Sequence, residues 1–143
     1  MEMKNKFINH ARNVWERAIH YLPREDQFWF KYAYMEEFIG DYSKARDVFT
    51  RWMEWSPGEK AWMSFIKFEE RMGEPENAKA ILYQYLEAYP HLETYIKVAK
   101  FEVRNRNRDA ARSIFERVIT ELGADALHEN YFIEFAKFEI KQR

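Results

Sequence analysis

Cysteine is absent from this 143-residue chain, so disulfides and thiolate metal sites are excluded. The absence fits a reducing compartment. Glycine and proline number four each, too few and too scattered for a phosphate-cradling loop or a low-complexity tract. No apolar run approaches the length of a membrane span, and the first residues do not read as a signal peptide. A dominant charge is missing too. The formal net charge is −1, so no overall basic field draws the chain to nucleic acid or an anionic membrane. His10, His20, His91 and His128 lie far apart with no HExxH spacing. The serines have no flanking elbow glycines. Neighbouring carboxylates such as Glu36 and Glu37 point about 100° apart on a helix. Enzymatic activity, a metal, a cofactor and a small-molecule substrate are therefore not expected.

What is abundant is aromatic and charged: 18% and 33% of the residues. That mixture suits helices with bulky cores and salted surfaces. The stretch from Trp29 to Pro57 shows how they are built. Trp29, Tyr32 and Met35, continued by Phe38 and Ile39, make the apolar stripe of a first helix. Gly40 ends it and Asp41 caps the next. Ala45, Val48, Phe49 and Trp52 then follow the i, i+3, i+4, i+7 spacing of a second helix, which Pro57 stops.

This hairpin repeats. The phrase ARDVFTR at Ala45 is answered by ARNVWER at Ala11, AKAILYQ at Ala78 and ARSIFER at Ala111, which stand 34, 33 and 33 residues apart. Trp29, Tyr32 and Glu36 of the first helix return as Trp62, Phe65 and Glu69, then as Tyr95, Val98 and Glu102. A last copy, Phe132, Phe135, Phe138 and Glu139, follows a longer loop at 123–130. The spacing predicts second helices near 8–21, 41–55, 75–88 and 108–121, and first helices near 26–39, 59–72, 92–105 and 127–141. Gly73 and Asn107 mark the later turns, with Asn107 as the candidate cap. Pro23, Pro57, Pro90 and Gly123 close the second helices. Such units cannot bury their apolar faces alone and are expected to stack. The expected fold is an all-α, right-handed α-solenoid superhelix of antiparallel helix pairs. Residues 1–143 are read as a single array with repeats at about 1–23 (partial), 24–57, 58–90, 91–125 and 126–143 (partial), an internal piece of a longer protein.

The aromatic-rich first helix followed by Ala-Arg-x-hydrophobic-aromatic-x-Arg resembles the HAT (half-a-tetratricopeptide) repeat. Within that class, QFWFKYAYMEE followed by ARDVFTRWMEWSP resembles the crooked-neck family of splicing factors. EKAWMSFIKFE, HARNVWERAI and YFIEFAKFE carry the likeness along the chain. Gln84 and Lys79 depart from it, each standing where an Arg is expected. The resemblance implies a nuclear scaffold of the spliceosome, of the nineteen-complex type, whose partners are other splicing proteins. Alternatives are a HAT scaffold of mRNA 3′-end formation or ribosomal RNA processing, or a module that binds RNA directly.

Three groups of residues are candidates for roles beyond the repeat frame. Glu36 with Arg46, Glu69 with Lys79, Glu102 with Arg112, and Glu2 with Arg12 each stand ten residues apart, and each pair is expected to bridge the helices of one hairpin. Trp52 and Trp55 of the segment RWMEW are candidate partner anchors, weighed against the commoner fate of a Trp on an apolar stripe, burial in the core. Arg104, Arg106, Arg108 and Arg112 cross a turn and are a weak candidate RNA contact.

Overall fold

The computed structural model describes residues 2–123 and 129–141. They form α1 (Glu2–Tyr21), α2 (Asp26–Phe38), α3 (Tyr42–Met53), α4 (Glu59–Arg71), α5 (Pro75–Ala88), α6 (Leu92–Arg104), α7 (Arg108–Leu122) and α8 (Glu129–Lys141), with no strand among the described residues. The all-α expectation of helix pairs at a period near 33 residues is met, and most boundaries fall within two residues of those read from the sequence. None of the described helices is long and apolar enough to cross a membrane. His128 and the expected start of the last helix at 127 lie outside the described residues.

One boundary is corrected. The first helix begins at Glu2 instead of near residue 8. Its repeat partners of Gly40 and Asp41 are Lys6 and Phe7, which offer neither a left-handed glycine nor a capping oxygen. Nothing breaks the helix there.

The chain divides into two compact units, 1–67 and 68–143. In the first, α1 packs on α2 and α2 on α3. Trp29, Tyr32, Ala45, Val48, Phe49 and Trp52 form its buried core. Phe49 stacks on Phe65 of α4 with ring centroids 5.1 Å apart. In the second unit α5 packs on α6, which in turn contacts α7 and α8. The anchors Ala78 and Ala111 are fully buried, as Ala45 is in the first unit. Phe115 gathers Phe135 and Phe138 at 4.9 and 5.3 Å.

The last copy departs from the stripe. Phe132, the counterpart of buried Tyr95, is 56% exposed, while its neighbour Tyr131 is buried and donates its hydroxyl to the Phe115 carbonyl at 2.9 Å.

The turns repeat one backbone device. Gly40 and Gly73 adopt φ of 87° and 72°, and Arg106 takes the same left-handed place at 63°. The next amide then donates back to the repeated glutamate: Asp41 N to Glu36 O, Glu74 N to Glu69 O, and Asn107 N to Glu102 O, at 2.8–3.0 Å. This is the hydrogen bonding of a left-handed helix C-cap. Asp41 caps α3 by accepting from the Lys44 amide at 3.1 Å. Asn107 stands at the N-cap of α7, but its side chain makes no capping bond.

Candidate functional site

Glu36, Glu102 and Glu139 take their cations from the second helix of the preceding hairpin. Glu36, with no solvent exposure, accepts from Arg12 of the preceding hairpin, Nε to Oε2 and Nη2 to Oε1, both at 2.8 Å. Arg12 also reaches Asp41 at 3.1 Å. Buried Glu102 faces Lys79 of α5 at 3.5 Å and accepts from the Tyr83 hydroxyl at 3.3 Å. Glu139 receives Arg112 at 3.0 and 3.4 Å. These contacts tie the second helix of one hairpin to the first helix of the next. The expected pairings are corrected accordingly: Glu36 takes Arg12 in place of Arg46, Lys79 serves Glu102 in place of Glu69, and Arg112 serves Glu139 in place of Glu102, while Glu69 accepts from Asn77 of its own hairpin at 3.1 Å. Arg46 sits half-buried on α3.

The electrostatics follow from burial. Its hydrogen bonding to the Glu36 carboxylate is the main reason the Arg12 guanidinium holds its proton more tightly than usual. Burial first, and then the Glu102 carboxylate, push the Tyr83 phenol up to about 12.

A second cross-link was not singled out in the sequence. Glu16 of α1 accepts from Arg51 of α3 through both oxygens at 2.7 and 2.8 Å, and from the Tyr32 hydroxyl of α2 at 2.8 Å. Three helices meet at one carboxylate. Its signal was present in the recurring arginine of Arg17, Arg51 and Arg117 at the end of three repeat phrases. The Arg51 hydrogen bond is the largest of the influences that bring the Glu16 carboxyl down from 4.5 to about 2. A depressed acid contributes stability that is complete above its unfolded value and lost as pH falls through the folded one. Stability should therefore decline between about pH 4.5 and 2. In Glu16→Gln that part of the decline should vanish, a difference of about 1 kcal/mol after solvent screening of a partly exposed pair. Acid titrations of unfolding for both proteins check this, and parallel curves would remove Glu16 from the account.

The two tryptophans separate. Trp52 is 2% exposed and stacks on Trp29 at 6.5 Å and on Phe49 at 6.2 Å, and its Nε1 donates to Asp26 at 3.2 Å. It belongs to the hairpin core and presents no surface to a partner. Trp55 lies beyond the end of α3, just before Ser56 with its φ of 49°, and is 40% exposed. Arg24 covers one face of its ring at 5.5 Å and donates to its carbonyl at 2.8 Å. Trp55, Glu54, His20 and Ile19 line an open groove of about 390 Å³ in this unit.

The arginine cluster does not assemble as a set. Arg104 turns to Glu70 at 3.7 Å and over the Phe101 ring, and Arg112 is paired with Glu139. Arg106 and Arg108 border a recess together with Lys79 and Asp109. Among the described residues no group of three His, Asp or Glu side chains could hold a metal ion.

Helical hairpins in register, joined by carboxylate–cation links, define a helical-repeat protein of the interaction-scaffold type. The chain belongs to the HAT-repeat family: residues 1–104 match the family described as the PRP39 C-terminal HAT repeat. Among solved structures, it is similar to one titled "Crystal structure of MamA protein", at 15% identity and a TM-score of 0.49, covering 99% of this chain and 87% of that one. No curated protein sequence matches the chain.

Proposed function

We propose that this chain is a protein-binding scaffold of the spliceosome, nuclear and crooked-neck-like, acting in assembly or activation during pre-mRNA splicing. Membership of the PRP39-type HAT family is the observation that carries this reading, and the QFWFKYAYMEE and RWMEW likeness to crooked-neck proteins supports its finer part. Buried Glu36 and Glu102 are held by cations of the preceding hairpin, so they serve the frame and leave recognition to the surface. Its partners are other splicing proteins of the nineteen-complex type. Of the two tryptophans of RWMEW, Trp55, 40% exposed and braced by Arg24, is the one a partner can reach.

Affinity capture from nuclear extract, with and without nuclease, tests the proposal. Splicing proteins should remain bound after nuclease treatment. Trp55→Ala should reduce their recovery several-fold and shift stability by no more than about 0.5 kcal/mol, as surface substitutions do. Capture that disappears with nuclease, alongside steeply salt-dependent binding of naked RNA, would replace the scaffold with an RNA-binding module using Arg106 and Arg108.

A further inference from the structure

On the first helices, two positions one turn apart recur in register. They are Tyr34 and Phe38 on α2, Lys67 and Arg71 on α4, Lys100 and Arg104 on α6, and Lys137 and Lys141 on α8, all exposed. The first copy carries stacked aromatic rings, 6.4 Å apart. Every later copy carries two cations. A chain of net charge near zero thus concentrates positive charge at one register of its repeat.

Within the second unit, two of these pairs come together. Lys100 and Arg104 of α6 and Lys137 and Lys141 of α8 line one groove of about 400 Å³. Four cations face a single carboxylate, Glu134, which lies 3.3 Å from Lys100 and 3.8 Å from Lys137. Glu134 therefore offsets the two lysines beside it. Arg104, held only at 3.7 Å by Glu70, and Lys141 keep the positive excess. Beneath them the groove is apolar, walled by Ala99, Val103, Phe115 and Phe138.

We propose that this groove binds an acidic peptide segment of a protein partner, one whose carboxylates alternate with apolar side chains. The proposal rests on the scaffold reading and names the chemistry of one partner. Carboxylates would meet Arg104 and Lys141, since guanidinium and ammonium groups are the natural donors to them. An apolar side chain between the carboxylates would lie on Val103 and the ring edges below it. A nucleic-acid strand fits less well. Phe115 and Phe138 are 3% and 5% exposed and are packed against each other, so they offer no open ring face to a base. Glu134 stands where a continuous phosphate backbone would pass.

A fluorescein-labelled peptide of repeated Glu-Leu-Ser triplets, titrated with the whole chain and read by anisotropy, tests the groove. Saturable binding is expected. It should weaken about tenfold or more with the double variant Arg104→Glu, Lys141→Glu, and to a similar degree when the peptide carries Gln for Glu or Ser for Leu. Both substituted side chains are exposed, so helix content and melting temperature should stay unchanged. Absence of binding, equal binding by the Gln peptide, or full binding by the double variant each overturns the proposal. So does displacement of the peptide by oligouridylate, which would assign the groove to RNA. Repeating the nuclear capture with the double variant separates the two readings. If nuclease-resistant capture survives while the peptide result is negative, the groove assignment fails and the scaffold stands. If the unmodified chain captures nothing after nuclease, the scaffold itself fails.

Discussion

Arg12→Ala is expected to remove about 3–5 kcal/mol of folding stability, the cost of stranding a buried carboxylate without its cation. Glu36 has no solvent exposure, and three hydrogen bonds from Arg12 occupy both of its oxygens. Without the guanidinium the charge must be desolvated alone, take up a proton, or draw water between α1 and α2. Arg12→Met combined with Glu36→Met should lose far less than the sum of the single changes, because an apolar pair leaves nothing unpaired. Urea unfolding of the four proteins measures the coupling. Additive losses would mean that the pair is an ornament of the surface and that the hairpins are registered by apolar packing alone.

Trp52→Ala should cost about 3–5 kcal/mol as well, by a different route: a large cavity between α2 and α3. The indole fills the space between Trp29 and Phe49, and both of those rings are themselves buried. Trp52→Phe divides the effect. It keeps a stacked ring, gives up part of the buried indole volume, and removes the Nε1 bond to Asp26, which lies at the surface and can turn to water. That variant should lose less than half as much as the alanine. If Trp52→Ala left stability within about 0.5 kcal/mol, the core assignment of this residue would fall.

The two predictions bear on different parts of what could be read in advance. Burial of Trp52 follows from periodicity, since it stands seven residues after Ala45 on a stripe with one possible inner face. The Arg12–Glu36 link does not follow. In this periodic chain Arg46 and Arg112 lie ten residues after Glu36 and Glu102, while Arg12 and Arg112 lie 24 and 27 before Glu36 and Glu139. Spacing alone cannot choose between hairpins. The choice belongs to packing: α1 lies against α2 and α5 against α6, and that places Arg12 and Lys79 within reach of Glu36 and Glu102. Trp55 illustrates a related limit. On the helical count it follows Trp52 by nearly one turn, yet α3 ends at Met53 and the chain bends at Ser56, so the ring leaves the stripe.

Local chemistry was enough to set the helices, their turns and the repeat, because apolar period, glycine position and helix breakers act within a few residues of one another. The same signals made the HAT class and the anchors Ala45, Ala78 and Ala111 readable from the sequence alone. Only the tertiary structure decided which cation meets which glutamate, that Glu16 joins three helices, and that Lys100, Arg104, Lys137 and Lys141 share one groove. Those are contacts between residues brought close by packing of whole helices. A short-range pattern carries no record of which of several equivalent faces will meet.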